Sequence, residues 1–174
     1  ATIEKIIHDR YPKTVIVNTL IDNLNQVARS NRNILLWNDP QKIEAELVAI
    51  SDARAANTTE YKKLEDTVKS ETGIKILTEA TAKRAVFATL LDRFLAIAKD
   101  PAQKEAATTL LMGDLRDAQL EKKKSISALI QFQSDTMTKE GKAADQLADS
   151  AQNLIAIMSI AALLIALFVA WLIV

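Results

Sequence analysis

The final 21 residues, LIAIMSIAALLIALFVAWLIV from Leu154 to Val174, carry no charged side chain, and Ser159 is their one polar group. Coiled as a helix, this run spans roughly 31 Å, about the hydrocarbon thickness of a bilayer. All of the 22 basic and 22 acidic residues lie within 1–153. The sequence therefore describes two objects, a polar domain over 1–153 and a transmembrane helix over 154–174. It excludes a simple soluble globule. The apolar run is C-terminal, so it is not a signal peptide. The chain starts at Ala1 rather than Met, so a segment is expected upstream.

The polar part is made for helices. Three Gly and three Pro in 174 residues leave little material for turns, and Ala, Leu, Glu, Lys and Gln favour helix throughout. Asn38-Asp39-Pro40 and Lys99-Asp100-Pro101 each set an aspartate cap before a proline at the first helical position. Between them, the stretch Lys69 to Gly73 supplies capping residues and a glycine. The predicted helices span 1–38, 40–70, 73–99 and 101–174, with Pro12 kinking the first near its start. Connections this short force antiparallel neighbours. The fold class is all-α, an up-down-up-down antiparallel four-helix bundle whose fourth helix continues into the membrane. Gly113 and Gly141 stand alone and are not expected to part that helix, which makes it a rod of roughly 110 Å.

Heptad seams agree with this division. The first helix runs Val17, Leu20, Leu24, Val27, Asn31, Ile34, and the fourth runs Leu111, Leu115, Ala118, Ser125, Leu129, Phe132, Thr136. The turns at 38–40 and 99–101 form the tip farthest from the membrane. From there the fourth helix takes about 53 residues to reach the apolar run, whereas the first offers about 38. About 15 further residues, and a first transmembrane helix before them, are expected upstream of Ala1.

Several chemistries are excluded by residue type. Balanced charge lacks the basic footprint of a nucleic-acid binder. Without cysteine there is neither disulfide nor thiolate chemistry. The one histidine, His8, and the lack of a Glu-x-x-His pair argue against a haem, di-iron or other metal site, and no cofactor is expected. No glycine-rich phosphate loop or nucleophile arrangement is present. The chain reads as a non-enzyme, with His8 exposed on its helix and Lys122-Lys123-Lys124 a solvated face.

Function is expected where the apolar seam fails. Inward positions of the second helix run Ile43, Leu47, Ile50, Arg54, Asn57, Tyr61, Leu64, Val68; those of the third run Leu77, Ala80 or Thr81, Arg84, Phe87, Leu91, Phe94 or Leu95, Ala98. Arg54 and Arg84 fall in one layer, roughly 20–25 Å below the tip. Two inward guanidiniums require compensation, either by acids of the fourth helix, where Asp114 and Glu121 flank the seam, or by a bound anion. Asn57, Thr58, Tyr61 and Thr81 add hydrogen-bonding groups. A carboxylate suits the layer, because each arginine offers a bidentate fork. A second candidate lies at the end of the first helix, where Arg29, Arg32 and Asn33 sit off the core seam at the height of Thr108 and Thr109 of the fourth. That face is either solvated or covered by a second subunit, and cations are favoured at a helix C-terminus in any case.

The helix-one ending RSNRNILLWNDP, the Ala-Lys-Asp-Pro turn and the unbroken descent into the apolar run together resemble the extracytoplasmic four-helix-bundle sensor domain of methyl-accepting chemotaxis proteins, running into their second transmembrane helix. The resemblance covers essentially the whole chain. It implies an inner-membrane homodimer with two membrane passes in the full protein and a periplasmic sensor. It further implies a ligand-dependent shift of the fourth helix and a cytoplasmic signalling module beyond Val174 that controls a histidine kinase. In the aspartate receptor of this family, arginines at the end of helix one and a threonine of helix four bind the amino acid across the dimer interface. Arg29, Arg32 and Thr108 resemble these, although the two arginines here are three residues apart and no third precedes them suitably. Other members bind organic acids inside one bundle, and the Arg54–Arg84 layer resembles that arrangement better. The expected function is thus a chemoreceptor sensor of a small anion, a di- or tricarboxylic acid. The alternatives are the input domain of a membrane histidine kinase or cyclase, a sensor of a partner protein, and a tail-anchored structural bundle.

Overall fold

The computed structural model describes Glu4 and residues 6–173. Residues 1–3, Lys5 and Val174, and with them the start of the predicted first helix and the end of the apolar run, lie outside the described residues. The ladder opens with a π-helical turn, Ile6–Arg10, and continues as α1, Tyr11–Leu36. This is where the disturbance expected of Pro12 falls: its ring nitrogen has no hydrogen to give to the preceding turn, and the ladder widens there. His8 is exposed within that turn.

The remaining helices are α2, Pro40–Thr67, and α3, Glu71–Ile97. Asp39 caps α2 by accepting from the Gln41 N–H at 2.9 Å. Ser70 caps α3 by accepting from the Gly73 N–H at 3.2 Å. Because the cap is Ser70, α3 starts two residues before the predicted position. Asp100 caps a short 3-10 turn, Pro101–Gln103, accepting from the Ala102 N–H at 2.9 Å.

The fourth predicted helix is not one piece. It comprises α4, Lys104–Met112, and α5, Asp114–Ile173. Gly113 leaves helical geometry at φ −103 and ψ −111. Two bonds still carry the ladder over it, Gly113 N–H to Thr109 O and Asp117 N–H to Gly113 O, both 3.0 Å. Glycine holds helical geometry about 1 kcal/mol less strongly than alanine, so an isolated glycine sufficed to part the helix here. Gly141 remains helical.

α1 packs along α2 and α5, and α3 packs along α4 and α5, while α2 and α3, neighbours in the bundle, pack more loosely than these pairs. All six seam residues predicted for α1 are buried, as are Leu111, Leu115, Ala118, Ser125 and Leu129 of α4 and α5. Phe132 and Thr136 are half-buried. The apolar interior is divided in two. A distal cluster gathers Leu24, Val27, Ile34, Ile50, Ala53, Phe87, Leu91, Phe94, Leu115 and Ala118. A proximal cluster gathers Val17, Leu20, Tyr61, Leu64, Leu77, Ala80, Ile126 and Leu129. Among the described residues one helix is long and apolar enough to cross a membrane, with an apolar window of mean hydropathy 2.7 that is 0% buried.

Gly73 shows how tightly the proximal end is built. A Cβ there would meet Val68 Cγ1 at 2.7 Å, Ser70 Oγ at 2.8 Å and Phe132 Cε1 at 3.3 Å. Gly73→Ala therefore disturbs the cap of α3 and a buried valine together. The gain in helix propensity is about 1 kcal/mol, and overpacking costs about 1–3 kcal/mol. We expect net destabilisation, read as a lower denaturation midpoint.

Candidate functional site

Between the two apolar clusters every long helix contributes a polar or charged side chain. α1 gives Asn23, α2 gives Asn57, α3 gives Arg84 and α5 gives Lys122. Asn57 is buried and accepts from Asn23 Nδ2 at 3.0 Å. Arg84 donates to Thr58 Oγ1 at 2.7 Å and lies over the Tyr61 ring, with Cζ 4.6 Å from the centroid. It thereby spans the α2–α3 seam, where the helices pack more loosely and a long side chain reaches across. Arg54 crosses the same seam in the other direction and pairs with Asp92 of α3 at 2.6 Å.

One expectation about this layer is corrected, and one of the two sources of compensation it left open is removed. Arg54 and Arg84 are not core residues; both are partly exposed on the seam, the Arg54 side chain at 41%. Asp114 and Glu121 do not neutralise them either. Asp114 is exposed, and Glu121 pairs with Lys83 at 3.1 Å, which together with Lys124 holds its carboxyl below the usual range. α4 and α5 pack against α3 and α1 rather than in the α2–α3 seam, so their acids lie on the wrong side.

The larger correction concerns Lys122, read from the sequence as part of a solvated run. Lys123 and Lys124 are exposed, but Lys122 is 4% exposed and occupies the core. Its ammonium faces the Phe87 ring at 4.8 Å. Burial, reinforced by the Arg84 and Arg54 charges, pulls its pKa down to about 8. Among the described residues no carboxylate stands within salt-bridge distance of Lys122 or Arg84. The signal was present in the heptad itself, since Ala118, Lys122 and Ser125 follow the alternating four-three spacing of the seam. The buried Tyr61 hydroxyl has no hydrogen-bond partner, and desolvation pushes it up to about 12 despite Arg84.

The layer is thus cationic, with three positive groups, one partly exposed carboxylate, and orphaned or amide polar groups beside them. It can hold an anion by charge-assisted hydrogen bonds. Thr81 does not join it. That threonine is half-buried in a lower groove of about 440 Å³, with Leu77 and Thr78 of α3 and Val68, which follows α2.

The residues of the second candidate point in different directions within one chain. Asn33 donates to Glu46 of α2 at 2.7 Å. Arg29 is exposed and bonds to Gln26 of its own helix. Arg32 lines a groove of about 330 Å³ on the opposite flank, with Leu111, Met112 and Arg116. Thr108 is exposed, its hydroxyl donating to Lys104 O at 2.8 Å.

Residues 1–148 match the family described as a four helix bundle sensory module for signal transduction. The chain belongs to this family of chemoreceptor sensory modules. No curated protein and no solved structure matches it. The bundle, its one membrane-capable helix and the family together place the module in a membrane signalling context.

Proposed function

We propose that this sensory module binds a small di- or tricarboxylate in the layer formed by Arg54, Arg84 and Lys122, and that α5 carries the signal through the inner membrane to a cytoplasmic module. The observation that carries the reading is Lys122. A buried ammonium without a counter-charge costs several kcal/mol, and two guanidiniums beside it add repulsion. A ligand with two or three carboxylates removes that cost, so its binding is favoured before any shape complementarity is considered. Asn57, Thr58 and the orphaned Tyr61 hydroxyl supply orienting hydrogen bonds. The Arg54–Asp92 pair fits the purely structural alternative for Arg54, but among the described residues Arg84 and Lys122 have no carboxylate partner.

Lys122 also links site and output. Arg54 and Arg84 stand on helices that turn back at Thr67 and Ile97, whereas Lys122 stands on the helix that continues into the apolar run. A ligand that prefers one α5 position shifts the equilibrium by its differential affinity, typically about 1–3 kcal/mol. The sensor is proposed to face the periplasm and to act as a homodimer, with the Arg29, Arg32 and Thr108 faces available to a second copy.

Calorimetry of the purified chain with a panel of mono-, di- and tricarboxylates tests the site. At least one multivalent acid is expected to bind, and Arg84→Ala to weaken it by about 2–5 kcal/mol. Unchanged binding of every hit in Arg84→Ala would falsify the placement.

A further inference from the structure

The proximal end of the bundle holds a second cavity, of about 260 Å³, bounded by α1, the α2–α3 turn and α5. Gln133 of α5 lines it, is 2% exposed, and its carbonyl oxygen has no hydrogen-bond partner. An orphaned buried amide oxygen costs about 1–3 kcal/mol, and the position lies on a seam that a leucine would fill. Its lining also includes Ser70, the residue that caps α3, a 27-residue helix. The Ser70 hydroxyl there accepts from the Gly73 N–H, which leaves its own hydrogen free to donate. The peptide N–H groups of the first turn add partial positive charge.

The charges around the cavity are unequal. Arg10, Lys13 and Lys69 face it against the single acid Asp9. Asp9 is engaged by Lys13 and by Arg10, the latter at 3.4 Å, and Arg10 also holds Glu140 at 3.1 Å. Lys69 has no ion pair among the described residues, so its charge stands uncompensated at the mouth of the helix terminus. A ligand for this place must bring anionic oxygens for Lys69, Ser70 and the helix start. It must also bring a hydrogen-bond donor for the Gln133 carbonyl. A partly protonated oxyanion has both.

We propose that this cavity is a second ligand site, for a phosphate group that retains a hydroxyl, held by Lys69, Ser70 and Gln133 beside the N-terminus of α3. It lies below the carboxylate layer and is independent of it. Gln133 sits on α5, about 31 Å above the apolar run. Occupancy would therefore tie α5 to the α2–α3 turn at a second level, nearer the membrane.

The test is titration of the full chain in detergent with inorganic phosphate, followed by calorimetry and 31P line shapes, with sulfate as the oxyanion that lacks a proton at neutral pH. Saturable phosphate binding is expected, about tenfold or more tighter than sulfate, a difference of about 1.4 kcal/mol. Lys69→Ala, at an exposed position that does not threaten folding, and Gln133→Leu are each expected to weaken it by a similar factor or more, whereas Arg84→Ala leaves it intact. Without phosphate, Gln133→Leu is expected to raise the denaturation midpoint. Absence of saturable phosphate binding, equal binding of sulfate, or phosphate binding indifferent to Lys69→Ala overturns the proposal.

Discussion

Replacing Lys122 by methionine is expected to stabilise the folded chain and to weaken carboxylate binding. The two effects share one cause. In the unliganded bundle the ammonium has left water, faces the Phe87 ring at 4.8 Å and has Arg84 and Arg54 as its charged neighbours. The attraction to the ring returns about 2 kcal/mol or somewhat more, set against the desolvation of an ion, which costs several. Methionine keeps the unbranched stem and fills the same space with a polarisable apolar group. Exchange of buried charge for a well-packed hydrophobe is neutral or stabilising by about 1–4 kcal/mol in other proteins. The loss of a buried charge partner for the ligand acts in the opposite direction, by about 2–5 kcal/mol of affinity. Denaturant unfolding and calorimetry on the same variant read both. A Lys122→Met chain less stable than the parent would mean that the lysine is already compensated, and the anion reading would fall with it.

What the sequence disclosed and what it withheld divide along a physical line. Helix starts at Pro40, and the turn at Pro101, were legible because capping is local: Asp39 and Asp100 meet N–H groups two residues away. The α1 seam was legible because burial follows the heptad, and every residue on it from Val17 to Ile34 is inside. The layer holding Arg54 and Arg84 could be counted from the tip, since antiparallel helices of equal rise place equal counts at equal depth. Withheld were properties that depend on the distance between helices. Nothing local says that α2 and α3 stand apart, so the arginines would lie on an open seam rather than in the core. For the same reason Asp92, eight residues along α3 from Arg84, could not be named as the partner of Arg54. Lys122 is a different case: its four-three spacing with Ala118 and Ser125 marks a seam position while the run of three lysines marks a solvated face, and burial follows the spacing. Lys122 is one of the four polar side chains, with Asn23, Asn57 and Arg84, that lie between the two apolar clusters.

The same lysine fixes an opposed pair of pH dependences. Its folded-state pKa lies near 8, below the ordinary 10.5. Below pH 8 the folded and unfolded chains both carry the proton, so the cost of the buried charge is fully present and does not vary. Between 8 and 10.5 the folded chain gives up the proton while the unfolded chain keeps it. Stability then rises with pH, by at most about 1.4 kcal/mol per unit. Carboxylate binding needs the charged form, so its affinity is flat below pH 8 and declines above it, approaching about tenfold per unit. No other group of the layer produces this pattern. Asn23 and Asn57 do not titrate, and Tyr61 is held up at about 12. Differences between the parent and Lys122→Met isolate the effect from the remaining lysines and from Glu121, whose carboxyl titrates far below this window. Unfolding midpoints and calorimetric affinities measured from pH 7 to 10 should therefore move in opposite directions in the parent and lose that contrast in the variant. Parallel slopes would show that Lys122 does not contact the ligand, whatever its place in the core.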